Sequence, residues 1–376
     1  CSNESCAAAV NAGLDMFMAP DSWKGLYTNT LAQARSGEIP MARIDDAVRR
    51  ILRVKLKEGL FDPARPDEGH FERLGSPAHR ALAREAVRKS LVLLKNDGVL
   101  PLKASAHILV AGDCADDIGK QSGGWTLTWQ GTGNTNADFP NGQSIYGGVV
   151  EAVRAAGGSA ELSLGGDFTV RPDVAIVVFG ENPYAEFQGD RQTMEYQPGA
   201  KSDLALLKKL KAKAVPVVAV FLSGRPMWVN PEINASDAFV AAWLPGSEGG
   251  GVADVLVGDG AGRPRHDFSG KLSFSWPKTA APAPLNRGDA DYHPLFAYGF
   301  GLTYADHVKT AKLSEDPGVA LAALPAGDIY FTAGRAADPW KLTLSAGDDA
   351  RPEIAGKPAV AGALTLKPTD AEGVQE

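Results

Sequence analysis

Positive charge is in short supply in this sequence. Lysine and arginine number 38 against 45 aspartates and glutamates, a formal net charge of -7 at pH 7. Without a basic stripe to displace a phosphate backbone's counterions, the balance argues against a nucleic-acid partner and for a neutral or polar one. No apolar run reaches the 18 or so residues that a membrane helix needs. Cysteine is scarce too, with Cys1, Cys6 and Cys114 the three present. Cys1 and Cys6 stand close enough to close a small disulfide ring, which suits an exported protein, and Cys114 reads as a buried free thiol. A secreted or periplasmic location is the expectation. The six histidines form no HExxH-like pattern, and Cys1 and Cys6 have no histidine nearby to complete a zinc site. Neither GxGxxG nor GxxxxGK[ST] occurs, so nothing demands a nucleotide. No metal or organic cofactor is called for.

What is present is a globular mixture, 44% hydrophobic and 22% charged, over 376 residues. That is too long for one ordinary core and implies two or three domains. Gly13–Pro20 is a short strand-like run. From Ile44 to Leu56 the apolar residues Ile44, Val48, Ile51, Leu52 and Leu56 recur at helical spacing, with basic residues on the other face. The helix stops near Gly59, and Pro63 and Pro66 open an irregular linker. Strand, helix and linker in that order read as the end of a (β/α)8-type barrel over 1–62, with the linker at 63–79.

Ser76-Pro77 has the form of a cap and first turn for a helix running to about Ser90, which leads into the apolar run Leu91–Leu94. Apolar strand candidates follow at 107–111, 174–179, 216–222 and 237–243, with helical segments around 147–156, 200–212 and 249–257. Strands apolar on both faces and separated by helices predict a sheet covered on both sides, an α/β sandwich domain over 80–305. After Tyr304 short apolar runs such as Asp328–Phe331 and Trp340–Leu344 alternate with Gly, Pro and Asp, the texture of an antiparallel β domain. The stretch 306–376 is too short for a normal sandwich and reads as the start of one.

Three loops put unusual residues where strands end. In Gly123–Gly131, Trp125 and Trp129 share a face if the segment is extended. Their rings could meet the C–H faces of a sugar, or they could be core tryptophans beneath a glycine-rich turn. The second loop, Phe179–Asp190, offers Glu181, Glu186 and Asp190 beyond a strand's carboxyl end, where open α/β sheets place ligands. A carboxyl beside Tyr184 and Phe187 could have a raised pKa and serve as a general acid; a solvated acidic loop is the alternative. In Trp243–Gly251, glycines allow a close approach to another domain, and Glu248 is expected to cap a helix N-terminus or to touch substrate. Arg225, in Ser223-Gly-Arg-Pro226, suits an ion pair or a substrate contact, and His79 a surface or packing role.

Several of these segments together resemble landmarks of family 3 glycoside hydrolases. They are Gly13–Met18, Gly37–Leu52, Lys89–Asn96, Gly123–Gly131, Gly180–Asp190, Ala241–Gly250 and Leu295–Thr303. The two-tryptophan segment and the Glu-Asn-Pro-Tyr-Ala-Glu run are similar to the branch of cereal β-glucan exohydrolases and bacterial exo-1,3/1,4-β-glucosidases. The resemblance implies retention of anomeric configuration, with an aspartate nucleophile on a barrel strand and a glutamate acid/base from the second domain. Glu186 falls on the acid/base position, Trp125 and Trp129 on aromatic positions at the pocket entrance, and Met18 on a position lining the glucose site.

In that branch the nucleophile lies in a Gly-Asp-Trp or Ser-Asp-Trp segment, and none occurs here. Asp15, in Gly-Leu-Asp-Met, falls on a later landmark. The nucleophile is therefore expected upstream, in a missing barrel portion that these residues need as a partner. The chain alone should be inactive and poorly folded at its N-terminal end, because a barrel fragment leaves strand edges and helix faces uncovered. The leading expectation is an exo-acting β-glucosidase releasing glucose from β-glucans or cello-oligosaccharides. The alternatives are a β-xylosidase or N-acetylglucosaminidase of the same fold, and a non-catalytic carbohydrate-binding or structural module.

Overall fold

Alternation with a period of two organises the centre of the chain. In a computed structural model, Val174, Ile176 and Val178 of one strand point into one apolar layer, and Ala175, Val177 and Phe179 into another. The structure describes residues 1–63, 69, 73–154 and 156–319, and the backbone of four short strands between Phe331 and Arg351. The described chain divides into two compact units, Cys1–His79 and Arg80–Glu376.

In the first unit the helices are α1 (Ala7–Asn11), α2 (Trp23–Ser36) and α3 (Met41–Lys57), and a disulfide joins Cys1 to Cys6. A small core forms from Ala7, Val10 and Ile39, with Phe17 and Ile44 packed on it. The helix expected from the 44–56 periodicity is α3, but Val48, Leu52 and Leu56 on its apolar stripe are exposed. The strand expected at Gly13–Pro20 is not one: the segment is turn and irregular backbone. A strand is held by ladder partners, and this segment pairs with no other among the described residues. Asp15 instead forms an ion pair with Arg43, which also donates to the Val10 carbonyl at 2.8 Å.

Helix α4 (Pro77–Ser90) begins where Ser76-Pro77 predicts, and the Ser76 hydroxyl accepts the His79 N–H at 3.4 Å. The second unit is built on a mixed six-stranded sheet of β1 (Val92–Asn96), β2 (His107–Ala111), β3 (Ser159–Leu162), β4 (Val174–Gly180), β5 (Val217–Leu222) and β6 (Ala238–Trp243). Its order is β1-β6-β5-β4-β2-β3, with β1 antiparallel to β6 and the remaining pairs parallel. The intervening helices are α5 (Ile118–Ser122), α6 (Ile145–Arg154), α7 (Ser202–Ala212), α8 (Asn230–Asn234) and α9 (Gly250–Leu256).

Both faces of the sheet are covered, as continuous apolar strands require. One layer joins Val110, Val178 and Val220 to Val149 of α6 and Val252 of α9; the other joins Ala111, Phe179 and Phe221 to Leu207 of α7 and Ile233 of α8. Helices α6 and α9 touch through glycines, since a Cβ on Gly148 would lie 2.5 Å from the Gly250 Cα. The glycine-rich loop at 246–251 thus serves packing inside its own unit. Glu248 does not cap α9: Gly249 takes the cap position, and Glu248, one residue before it, is buried and paired with Arg80 at 2.8 Å, a charge-assisted contact. The described strands after residue 319, β7 (Phe331–Thr332), β8 (Arg335–Ala336), β9 (Leu344–Ala346) and β10 (Asp349–Arg351), form two antiparallel pairs, β7 with β8 and β9 with β10. Residues 328–330 and 340–343 of the two apolar runs expected there lie outside the described residues.

Candidate active site

Strand order decides where a crevice can open. The chain leaves β2 for α6 on one face of the sheet and leaves β4 for α7 on the other, while β2 and β4 are neighbours. Connections that diverge from adjacent parallel strands part at their carboxyl ends, which is where open α/β sheets place ligands. The two-tryptophan loop follows β2 and the acidic loop follows β4, so topology brings together segments far apart in sequence.

The 123–131 loop is not extended, contrary to the expectation. Trp125 and Leu127 both have φ of 59° in the left-handed region, and the Trp125 N–H donates to the Trp129 carbonyl at 2.8 Å. This closed turn, rather than strand periodicity, brings the two indoles to one side with ring centroids 6.2 Å apart. The turn is braced by the Asn134 amide, which donates to the carbonyls of Thr126 and Gly131 at 2.9 and 3.1 Å. Neither indole is a core residue, with 69% of Trp125 and 45% of Trp129 exposed. Phe187 meets Trp129 edge to face at 6.4 Å and is itself 76% exposed, which extends the aromatic surface.

Glu186 lies against this surface. Its carboxylate accepts the Trp129 indole N–H at 2.6 Å. That bond, helped by Glu186's own backbone N–H and by Trp125, holds its pKa below the usual carboxylate value. The raised pKa expected for a carboxyl among aromatics is therefore not found. Phe187 turns to solvent and Tyr184 points at Glu181, so neither desolvates Glu186, and its aromatic neighbour Trp129 contributes a polar N–H. The two loops touch closely enough that a Cβ on Gly124 would lie 2.0 Å from the Tyr184 carbonyl oxygen.

Glu181, the other glutamate of the run, is half-buried, with its side chain only 6% exposed and held on several sides. Arg225 donates to it from Nη2 at 2.9 Å and from Nε at 3.2 Å, and the Ser223 and Tyr184 hydroxyls donate at 3.0 and 3.2 Å. Arg191 adds an ion pair at 3.6 Å. Arg225 also donates to the Gly189 carbonyl at 2.6 Å and sits over the Tyr184 ring, 4.4 Å from its centroid. Of the two roles open to Arg225, the structure gives it the ion pair. Burial, with the Glu181 charge second, pushes the Tyr184 hydroxyl up to about 12. Asp190 is exposed at the loop's end.

Trp125, Trp129 and Glu186 are thus brought together. Met18 belongs to the first unit, where its side chain is 97% exposed. Sequence reasoning did not single out Gln130, whose amide bonds to the Ala185–Glu186 backbone, or Arg191. For Gln130 the only available signal was adjacency to the second tryptophan. Among the described residues, no group of three or more His, Cys, Asp or Glu could hold a metal ion.

The class defined so far is an α/β protein carrying an exposed carboxylate against an aromatic platform at the carboxyl ends of parallel strands. Comparison with known proteins supplies the family. Residues 91–304 match the glycosyl hydrolase family 3 C-terminal domain and residues 1–54 the family 3 N-terminal domain, so the chain belongs to glycosyl hydrolase family 3. It is 31% identical over 334 residues to the lysosomal beta glucosidase of Dictyostelium discoideum, covering 80% of this chain and 39% of that protein. To the periplasmic beta-glucosidase of Salmonella typhimurium it is 30% identical over 355 residues, covering 80% of this chain and 45% of the relative. The crystal structure of an exo-1,3/1,4-beta-glucanase from a Pseudoalteromonas species superposes with a TM-score of 0.81 at 57% identity, covering 84% of this chain and 40% of that one. The chain spans less than half the length of each of these relatives.

Proposed function

We propose that this chain is the acid/base-bearing part of a retaining, exo-acting β-glucosidase that releases glucose from β-glucans or cello-oligosaccharides. The carrying observation is the Trp129–Glu186 pair, an exposed carboxylate bonded to the edge of an aromatic platform at the sheet's switch point. Glu186 first gives its proton to the leaving oxygen and then, as a base, takes one from water. Trp125 and Trp129 hold the sugar on the leaving-group side by stacking on its C–H faces. The attacking group is an aspartate in barrel sequence upstream of these residues, with the carboxyls about 5–5.5 Å apart as retention requires.

The low pKa of Glu186 fits the base step as it stands. The acid step needs water excluded, and a sugar seated over the indoles does that, raising the carboxyl's proton affinity once substrate is bound. The relatives' names, a beta glucosidase, a periplasmic beta-glucosidase and an exo-1,3/1,4-beta-glucanase, support glucose release from β-glucans. The Cys1–Cys6 disulfide and the periplasmic relative support a secreted or periplasmic location. No described helix is long and apolar enough to cross a membrane.

The test is to feed the intact enzyme cello- and laminari-oligosaccharides and follow the products by proton NMR. Single β-glucose units released from one chain end are expected. Preference for an aryl xyloside or N-acetylglucosaminide, or release of α-glucose, would overturn the reading. The chain alone is expected to leave an aryl β-glucoside intact, and turnover far above background would refute the upstream nucleophile.

A further inference from the structure

Glu186 sits in a connection with neither helix nor strand, so the aim of its carboxyl depends on whatever holds its backbone. One side chain does this at two points. The Gln130 amide oxygen accepts the Ala185 N–H at 2.7 Å, and the Gln130 amide nitrogen donates to the Glu186 carbonyl at 3.3 Å. A primary amide offers a donor and an acceptor in one plane, which a carboxylate or an ammonium does not. The residue before it, Trp129, bonds to the Glu186 carboxylate itself. Consecutive residues of one loop therefore grip the backbone and the side chain of Glu186, and that loop is stiffened by the Trp125–Trp129 closure. Arg225 fixes the base of the acidic loop at Glu181 and Gly189, while Gln130 fixes its exposed part.

We propose that Gln130 is a positioning residue that aims Glu186 at the leaving oxygen, an inference that rests on the reading of Glu186 as acid/base. A misplaced acid is felt most where the leaving group needs a proton, so leaving-group dependence separates aiming from general support. The experiment compares kcat/KM for a series of aryl β-glucosides of graded leaving-group acidity, using the intact enzyme and its Gln130→Met, Gln130→Glu and Glu186→Gln variants. Gln130→Met keeps the bulk and loses both bonds. It is expected to lose roughly 10- to 100-fold with poor leaving groups and less than about threefold with a dinitrophenyl glucoside, because small misplacements carry costs of that order.

Gln130→Glu keeps the acceptor alone. A smaller loss is expected, with the alkaline limb of the pH profile moved upward because a second carboxylate nearby favours the protonated Glu186. This variant also carries the test if Gln130→Met does not fold. Equal losses for every leaving group, or no loss, would overturn the inference. A flat leaving-group response in Glu186→Gln would instead remove the acid/base reading; a steep response there beside flat Gln130 variants sinks the positioning role alone.

Discussion

The connection after β4 has a buried base and an exposed rim, and each surrounds a carboxylate differently. Glu181 at the base meets two arginines and two hydroxyls, with little of it open to water. Glu186 at the rim meets the Trp129 indole N–H, with lesser help from its own backbone N–H and from Trp125, and otherwise solvent. Both belong to one short run, and residue type alone does not separate them. Surroundings do: the base is fully committed to holding the loop, and the rim leaves a carboxylate able to exchange a proton with something that arrives. Phe179, under the base, packs against Phe221 and Tyr196, so the rim stands on a rigid floor.

The sharpest way to break this comparison is to neutralise the rim. In the intact enzyme, Glu186→Gln is expected to lower kcat/KM on substrates with poor leaving groups by about 10²- to 10⁴-fold, the usual contribution of a general acid. An activated substrate should instead accumulate the glycosyl-enzyme, because water then lacks its base. Azide needs no base and should restore turnover, giving a β-glycosyl azide detectable by NMR. Rescue of Glu181→Gln and not of Glu186→Gln would exchange the two roles.

Removing the base's cation should act on stability instead. Arg225→Met leaves Glu181 buried with part of its charge unanswered, and breaking such a pair costs about 3 kcal/mol. Urea denaturation of the chain is the measurement. Because Arg191, Ser223 and Tyr184 remain, a cost well below that value would mean they suffice. An unchanged midpoint would dissolve the distinction between base and rim.

A third carboxylate, deeper still, sharpens the contrast through pH. Glu232 is fully buried beside Lys201 and Glu195, and burial raises its pKa from 4.5 to about 7, with Lys201 opposing. A folded-state pKa above the unfolded one means that the native state holds the extra proton. Its stabilising contribution is complete below about pH 4.5 and is lost as pH rises through about 7, on the order of 3 kcal/mol in all. Glu232→Gln mimics the protonated form, so it should flatten the fall in stability across that window and raise stability at pH 8. An unchanged slope would show that the rise in pKa does not occur.

Much of the fold was legible because apolar alternation is a local signal. Strands β2, β4, β5 and β6 and helices α6, α7 and α9 lie within two residues of the predicted positions. What escaped was short or held by contacts from elsewhere. β3 is a partly buried edge strand of four residues, and α5 and α8 are single turns of five. The candidate site was legible as residue types in loops, but its assembly was not. Periodicity put the two indoles on one face for the wrong reason, since a closed turn with left-handed residues does it. Adjacency of aromatics suggested desolvation of Glu186, whereas the direction of an indole N–H decides the opposite shift. Glu248 and Gln130 depend on partners distant in sequence, Arg80 and the Ala185–Glu186 backbone, which no local pattern reveals.

The smallest expected effect tests the rim most finely. Trp129→Phe keeps an aromatic ring against Phe187 and removes the N–H that lowers the Glu186 pKa. With that donor gone the protonated carboxyl is relatively favoured, so the pKa of the free enzyme's acid should rise. On the proposed acid/base reading Glu186 is protonated for the first step, and the alkaline limb of kcat/KM reports that proton. The limb should therefore move to higher pH in Trp129→Phe, with little change in the maximum for an activated substrate. Trp125→Phe should move it the same way and less, since Trp125 contributes least among the groups acting on Glu186. In Glu186→Gln the limb should vanish, which ties it to this carboxyl. A downward shift in Trp129→Phe would mean that the indole chiefly desolvates Glu186 in the working enzyme, and the rim would then resemble the buried base.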